Sequence, residues 1–185
     1  GLQALLTSLR SNPYALDSVH LSITTFDSEI KLVLPMTPVA DVMLPEITCP
    51  KSGATLLGAA LEHICEQVQR DIHKSSATEK GEWKPILVIL TDGKPTDTLA
   101  YTEVIPRLLG CGFAKIVACA AGSKADPSQL KRLTDAVVSL DTMDATSFSK
   151  FFEWVSATFS KDSQSRGATS SPELPPPPPE LNIVL

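Results

Sequence analysis

The stretch PILVILTDGKPTD (residues 85–97) decides the fold of this chain, because a continuous apolar run leads directly into a polar turn that contains two aspartates. An apolar run without polar alternation is typical of a strand in a parallel sheet with helices on both faces. An aspartate at the end of such a strand is costly to bury unless water, hydrogen bonds or a metal ion meets its charge. Asp92 is therefore the first candidate functional residue.

The sequence on either side of this stretch predicts further strands. VHLSITTF (19–26) and EIKLVL (29–34) alternate apolar and polar residues, which predicts an antiparallel hairpin. A loop punctuated by prolines is expected at residues 35–54. AKIVACAA (114–121) and AVVSL (136–140) predict two more buried strands.

Helical patterns separate these strands. We expect amphipathic helices at residues 1–11, ended by a break at Asn12-Pro13, and at residues 55–74. A third helix at 98–109 is expected to be kinked or shortened by Pro106.

Two helices are predicted near the end of the chain. Asp126-Pro127 is typical of a helix start. The final helix has an apolar stripe that we interpret as core packing, formed by Phe148, Phe151, Phe152, Val155 and Phe159. Strands that alternate with helices predict an α/β fold, a doubly wound and mostly parallel Rossmann-like sheet flanked by helices, with one antiparallel edge hairpin.

Composition limits the classes of partner. The chain has 185 residues, 43% of them hydrophobic, and a net charge of -5, with no cluster of basic residues. We therefore expect neither nucleic acid nor an anionic membrane surface as the main partner. Residues 1–160 are predicted to form one domain, and residues 161–185 a proline-rich tail with an apolar C-terminal peptide.

Cysteine usage favours a reducing compartment. The four cysteines, at positions 49, 65, 111 and 119, form no CxxC pair and show no metal-ligand spacing. The sequence has no signal peptide pattern and no membrane-spanning apolar run, so we expect a cytoplasmic protein.

Thr55 is the second candidate functional residue. It opens a predicted helix after Ser52-Gly53-Ala54, and parallel-sheet topology places it on the same face as Asp92. A hydroxyl and a carboxylate are hard oxygen ligands that suit Mg²⁺ or Ca²⁺. The simpler interpretations are that Thr55 is a helix cap and that Asp92 is a turn residue.

Three sequence features bear on an enzymatic function. Gly93-Lys94 lacks the upstream glycine and the following Ser or Thr of a phosphate-binding loop, and Lys94 is expected to be solvated. Asp92 and Asp97 remain an alternative as the carboxylates of an α/β phosphotransferase or hydrolase, although Asp97 is better explained as the cap of the following helix. The histidines, at positions 20, 63 and 73, predict no catalytic triad.

The combination of VHLSITTFD, SGAT, KGEWKP and PILVILTDGKPTD with a late run of prolines resembles the von Willebrand factor A domain family, and within it a group of bacterial tellurium-resistance proteins. The resemblance implies a metal-ion-dependent adhesion site. Thr55 and Asp92 match two of its three elements, with Ser52 and Gly53 shaping the loop, and the ion would be Mg²⁺, Ca²⁺ or Mn²⁺ completed by a partner's carboxylate.

The third element of that site, a DxSxS motif, does not occur in the sequence. The resemblance places it just upstream of the first helix, which here begins at Gly1 without a capping residue. We therefore expect that the preceding segment, together with the family's central strand, is missing from this sequence, which would weaken both the core and the metal site.

The tail is predicted to dock on a folded domain. PPPPP (175–179) predicts a stiff polyproline II rod, and it is followed by the apolar, β-forming peptide LNIVL (181–185). We expect LNIVL to enter a groove or to add a strand to a sheet edge, in its own domain or in another copy, which would give self-association through residues 181–185.

Taken with the resemblance, these features predict a non-enzymatic protein-interaction module that acts in tellurite resistance and stress response. The resemblance implies other products of the tellurium-resistance operon as partners. A phosphotransferase or hydrolase that uses Asp92 and Asp97 is the alternative, and a metal-free structural scaffold is the third candidate.

Overall fold

The computed structural model describes residues 1–48, 53–72, 84–122, 126–142, 144–162, 175–178 and 181–183. The helices are α1 Leu2–Ser11, α2 Pro13–Ser18, α3 Leu57–Asp71, α4 Thr98–Gly110, α5 Pro127–Leu130 and α6 Ala145–Asp162. The strands are β1 His20–Phe26, β2 Ile30–Pro38, β3 Ile86–Thr91, β4 Lys115–Ala121, β5 Val137–Leu140 and β6 Asn182–Ile183.

The strands form two groups. β1 and β2 pair as the predicted antiparallel hairpin. β3, β4 and β5 are parallel in that order, and β6 adds an antiparallel strand beside β5. The α/β fold class with an antiparallel hairpin is therefore confirmed. Within the described ranges the two groups share no strand pairing, so that β1 and β3 each keep one edge without a partner strand.

Strand β4 separates two apolar cores. Successive side chains of a strand point to opposite faces of the sheet. Val117, Cys119 and Ala121 accordingly belong to the core that α1 and α6 cover. Ile116, Ala118 and Ala120 belong to the core that α3 and α4 cover. Helices thus cover both faces, as the continuous apolar strands predict.

The most deeply buried strand is β4 and not β3. Every β4 residue after Lys115 is buried, whereas in β3 only Ile89 and Thr91 are buried. The reason lies in the pairing, because β4 has a neighbouring strand on each side and β3 has one only on the β4 side in the described part of the chain. Apolar character alone does not distinguish these two positions in a sheet.

The predicted break at Asn12-Pro13 is confirmed, because α1 ends at Ser11, and the same dipeptide also starts a second helix. The Asn12 side chain accepts hydrogen bonds from the main-chain N–H groups of Tyr14 at 3.0 Å and Ala15 at 3.3 Å. Pro13 occupies the first helical position, where its missing N–H has no cost. The same dipeptide therefore both ends α1 and caps α2.

Strand β2 and helix α4 both contain proline, although β2 was predicted to end earlier and α4 to be kinked or shortened. Strand β2 continues past Pro35 to Pro38, which lies opposite His20. This edge strand tolerates proline, because a ladder N–H is not needed on its outer side. Helix α4 contains Pro106 and continues to Gly110, so the helix is not shortened.

Helix α6 provides the aromatic part of the core. Phe151, Phe152 and Val155 are buried and Phe148 is packed against them, which confirms the predicted stripe up to that point. The side chain of Phe159 lies outside the described part. Among the described residues, no helix has both the length and the apolar character to cross a membrane.

Candidate functional site

Three loops meet at the carboxyl end of β3. The main-chain N–H of Thr96 donates to the Thr55 carbonyl at 3.0 Å, and the Thr55 N–H donates to the Thr96 hydroxyl at 3.0 Å. The N–H of Leu56 donates to the carbonyl of Asp27 at 3.1 Å. The loop before α3 is therefore held against the loop after β3 on one side and against the hairpin turn on the other.

Thr55 lies directly against the loop that carries Asp92. A Cβ atom placed on Gly93 would lie 3.0 Å from Thr55 Oγ1, a tight contact that would require the hydroxyl to shift by a few tenths of an ångström. The predicted proximity of Thr55 to the Asp92 loop is thus observed. The sequence separation is large, and it is the parallel sheet that brings the two segments together.

The simpler interpretation of Thr55 as a helix cap is wrong. Helix α3 begins at Leu57, its N-cap position is Leu56, and no side chain caps it from that position. Thr55 therefore lies one residue before the cap. Its hydroxyl makes no hydrogen bond within the described part of the chain, which leaves Oγ1 available to a ligand.

Asp92 is exposed at the first position after β3. The turn is held by its neighbour, because the Thr91 hydroxyl accepts from the Gly93 N–H and donates to the Gly93 carbonyl, both at 3.3 Å. The Asp92 carboxylate forms no hydrogen bond or ion pair with the residues that the structure describes. The turn-residue interpretation therefore does not explain why this position carries a carboxylate.

Asp97 has a different partner from the one expected. It occupies the N-cap position of α4, but its side chain makes no capping hydrogen bond there. Instead, Oδ2 accepts the Ala59 N–H of α3 at 2.9 Å. Asp97 is thus the N-cap residue of α4, as predicted, but its side chain caps α3, the helix that precedes it in the chain.

The second oxygen of Asp97 is buried without a hydrogen-bond partner in the described residues. A buried carboxylate oxygen of this kind is costly unless a donor or a cation meets it. Its main-chain neighbour Thr96 is the residue bonded to Thr55.

Lys94 is 68% exposed, which agrees with the predicted solvation, but it also forms an ion pair. Its ammonium group lies 3.1 Å from the carboxylate of Asp126, the residue that caps α5. The Ser128 hydroxyl, and after it Lys94, hold the pKa of Asp126 below its usual value. The ion pair connects the loop after β3 to the start of α5 and directs the positive charge of Lys94 towards Asp126.

The described residues contain no cluster that would by itself hold a transition metal. No three His, Cys, Asp or Glu side chains among them lie close enough to share an ion. His20 lies on β1 and His63 on α3, while His73 lies outside the described residues. Nothing in this arrangement resembles a triad.

The loop face carries oxygen atoms of the kind that a hard cation binds. Mg²⁺ takes six oxygen ligands and commonly keeps several waters, with one or two carboxylates from the protein. The Thr55 hydroxyl and the Asp92 carboxylate fit this chemistry as two such ligands. Ser52, expected to shape the loop, lies outside the described residues, and Gly53 is exposed.

Comparison with known proteins identifies a family. Residues 2–154 match the model of the von Willebrand factor type A domain. No curated protein matches the sequence significantly.

Solved structures share the fold. Proximal thread matrix protein 1 from the mussel byssus aligns with 83% of this chain at 16% identity and a TM-score of 0.55, and the match covers 40% of that protein. The ArnB paralog VWA2 from Sulfolobus acidocaldarius aligns with 86% of this chain at 17% identity and a TM-score of 0.51, over 39% of its own length. A von Willebrand factor type A protein from Catenulispora acidiphila aligns with 85% of this chain at 14% identity and a TM-score of 0.50, over 38% of its own length. The chain thus spans about two fifths of these structures, and at these identities the likeness concerns the fold alone.

Proposed function

The chain belongs to the von Willebrand factor type A domain family, a module that often mediates protein interactions, and we propose that it binds a protein partner through the face that carries Thr55 and Asp92. The observation that carries the proposal is the packing of Thr55 Oγ1 against Gly93, next to Asp92. Two candidate oxygen ligands from distant parts of the sequence are thereby carried by neighbouring loops, and neither side chain has a hydrogen-bond partner among the described residues.

We further propose that this face holds Mg²⁺, with Ca²⁺ or Mn²⁺ as substitutes. Thr55 would supply a hydroxyl ligand and Asp92 a carboxylate ligand, while water and a carboxylate of the partner would supply the others. The ion would bridge the Asp92 carboxylate and the carboxylate of the partner, two negatively charged groups that would otherwise repel each other. Binding to the partner would then depend on the ion.

The enzymatic alternative receives less support. A phosphotransferase that uses two carboxylates needs both of them free to reach the substrate. Asp97 has one oxygen bonded to Ala59 and the other buried, so its position is explained by the cap that it gives α3. We therefore favour a non-enzymatic module, and a metal-free scaffold is what would remain if no ion binds.

The cellular role that we propose rests on the sequence resemblance to the tellurium-resistance protein TerY. It is a part in tellurite resistance and stress response, with other products of the resistance operon as partners. A cytoplasmic location is supported by Cys65, Cys111 and Cys119, which are buried free thiols. Buried free cysteines of this kind are usual in a reducing compartment.

The metal part of the proposal is tested by titrating the protein with Mg²⁺ in a calorimeter and with Mn²⁺ in an electron paramagnetic resonance measurement. We expect Thr55→Ala and Asp92→Ala each to weaken binding at least about tenfold, which corresponds to about 1.4 kcal/mol. Gly93→Ala should also weaken it, because the added Cβ displaces the Thr55 hydroxyl.

Matched controls come from residues of the same type away from this face. Thr7→Ala on α1 and Asp17→Ala on α2 remove an exposed hydroxyl and an exposed carboxylate, and both should leave ion binding unchanged. Equal binding by Asp92→Ala and Asp17→Ala would remove Asp92 from the site. If the unaltered protein bound neither ion, the metal-free scaffold would be the remaining interpretation.

A further inference from the structure

The proline-rich tail is attached to the folded body through a tryptophan. The indole N–H of Trp154 donates to the carbonyl of Pro175 at 2.8 Å, and the side chain of Trp154 is almost fully buried. Residues 135–138 and Trp154 face the prolines at 175–177 across a common groove, and the surface formed by residues 135–138 and Trp154 is called here the tail groove. An indole donor beside a proline carbonyl is the arrangement by which aromatic grooves recognise polyproline segments.

The end of the tail is attached through main-chain pairing and one apolar anchor. Residues 182 and 183 pair antiparallel with Ser139 and Val138 of β5, so the predicted docking as a strand on a sheet edge is confirmed. Leu181 is only 4% exposed and belongs to the core that contains Trp154 and Val155. The amide of Asn182 also donates to Asp141 Oδ2 at 3.3 Å.

These contacts depend on the sequence of the tail and not on its covalent connection. All of them join residues 175–183 to α6, to β5 or to Asp141 just after β5. A separate peptide with the same sequence carries the groups that these contacts use. The sequence places twelve residues, 163–174, between α6 and the first docked proline. A chain of this length spans up to about 40 Å when extended, which is enough to reach a neighbouring copy.

We propose that the tail groove is a peptide-binding site whose second occupant is the tail of another copy, so that two chains exchange residues 175–185. Each chain supplies one groove and one tail, which gives two identical contacts related by a twofold axis. The tail of the same chain competes for the groove at an effective concentration in the millimolar range, so exchange depends on protein concentration.

Two complementary full-length variants test the exchange. Trp154→Phe removes the indole donor but keeps an aromatic ring in the core, so this variant has a defective groove and an intact tail. Leu181→Asp has an intact groove and a defective tail, because a carboxylate is not tolerated in the apolar core. By sedimentation velocity we expect each variant alone to be monomeric and an equimolar mixture to form a one-to-one heterodimer. The mixture is measured at about 100 µM, a concentration well above a micromolar Kd. A mixture that stays monomeric at this concentration would overturn the exchange.

The groove itself is tested with a fluorescent peptide of residues 175–185. We expect the peptide to bind Leu181→Asp at least about tenfold more tightly than the unaltered protein, whose own tail competes. Adding Trp154→Phe to the same chain should abolish this gain. Asn182→Pro is a second tail variant, which disrupts the β5 pairing without placing charge in the core. If both tail variants are folded by circular dichroism and neither binds the peptide, the tail groove is not a binding site for a separate chain.

Discussion

Asp97 Oδ2 accepts the main-chain N–H of Ala59 at 2.9 Å, so the residue that immediately precedes α4 caps the N-terminus of α3. The first turn of a helix has N–H groups without intrahelical partners, and an aspartate that meets one of them stabilises the helix. We expect Asp97→Ala to lower the free energy of unfolding by about 1–2 kcal/mol, the usual cost of losing a cap. Urea denaturation would measure this value.

Asp92 supplies the matched control for that experiment. It is an aspartate in the same loop, but it is exposed and its side chain forms no hydrogen bond or ion pair with the described residues. Asp92→Ala should therefore change the free energy of unfolding by less than about 0.5 kcal/mol while it weakens ion binding. If the two variants lost the same stability, the bond between Asp97 and Ala59 would not be what holds α3 to this loop.

Gly58 sets the distance between α3 and α4. A Cβ atom at this position would lie 2.7 Å from the main-chain carbonyl carbon of Ala100, closer than side chains approach a backbone. In an unobstructed helix, glycine to alanine is favourable by about 1 kcal/mol. Here we expect Gly58→Ala to lower the free energy of unfolding by about 1–3 kcal/mol, because the helices must separate.

Gly110 provides the comparison, since it lies at the end of α4 with nothing within 4 Å of an added Cβ. Gly110→Ala should be neutral or stabilising by up to about 1 kcal/mol. Both variants are compared by the midpoint of urea denaturation. A Gly58→Ala protein as stable as Gly110→Ala would show that α3 and α4 are not in close contact at this point.

Alkaline conditions should destabilise the protein through groups that burial keeps protonated. Burial raises the pKa of Cys119 from the usual 9.0 to about 12, and the same cause raises the pKa of Cys65 to about 12. Burial also raises the pKa of Tyr101 from 10.0 to about 12. Above pH 9 the unfolded chain releases these protons and the folded chain retains them, so the free energy of unfolding decreases as the pH rises towards 12.

The measurement is the midpoint of urea denaturation at pH values from about 8 to about 11, a range that extends roughly one unit to either side of the usual pKa values of these groups. Cys119→Ala removes one of the three groups, so the decrease should be less steep in that variant although its stability at pH 8 is lower. A midpoint that does not change over this range would contradict the assigned burial of these side chains.

The order of helices and strands could be predicted because each is encoded in a local pattern. The apolar run before Asp92 and the helical stripe of Phe151, Phe152 and Val155 specify their structures within a few residues of sequence. The proximity of Thr55 to the Asp92 loop also followed, because parallel strands direct their carboxyl ends to one edge of the sheet.

Side-chain partners could not be predicted in the same way. Asp97 at a helix start looks like the cap of that helix, and nothing local distinguishes this from the bond that it makes to Ala59, 38 residues away. The pairing of Lys94 with Asp126 and of Trp154 with Pro175 is equally non-local. These contacts depend on how helices pack together, which periodicity does not specify.

Pro106 offers a final test of the difference between local preference and tertiary packing. Proline inside a helix removes one main-chain hydrogen bond and crowds the preceding turn, at a cost of about 3 kcal/mol in an isolated helix. Helix α4 nevertheless continues through Pro106 to Gly110, because Val104 and Leu108 are buried on either side of it. Pro106 itself is exposed, so its replacement leaves the core intact. Alanine restores the missing main-chain hydrogen bond and removes the crowding, but the greater freedom of the unfolded chain offsets part of this gain in stability. We therefore expect Pro106→Ala to raise the free energy of unfolding by about 1 kcal/mol or more. Pro38→Ala, at the end of strand β2, is the control and should give no such gain. If Pro106→Ala were neutral or destabilising in urea denaturation, the proline would contribute to the packing of α4 in a way that its exposure does not indicate.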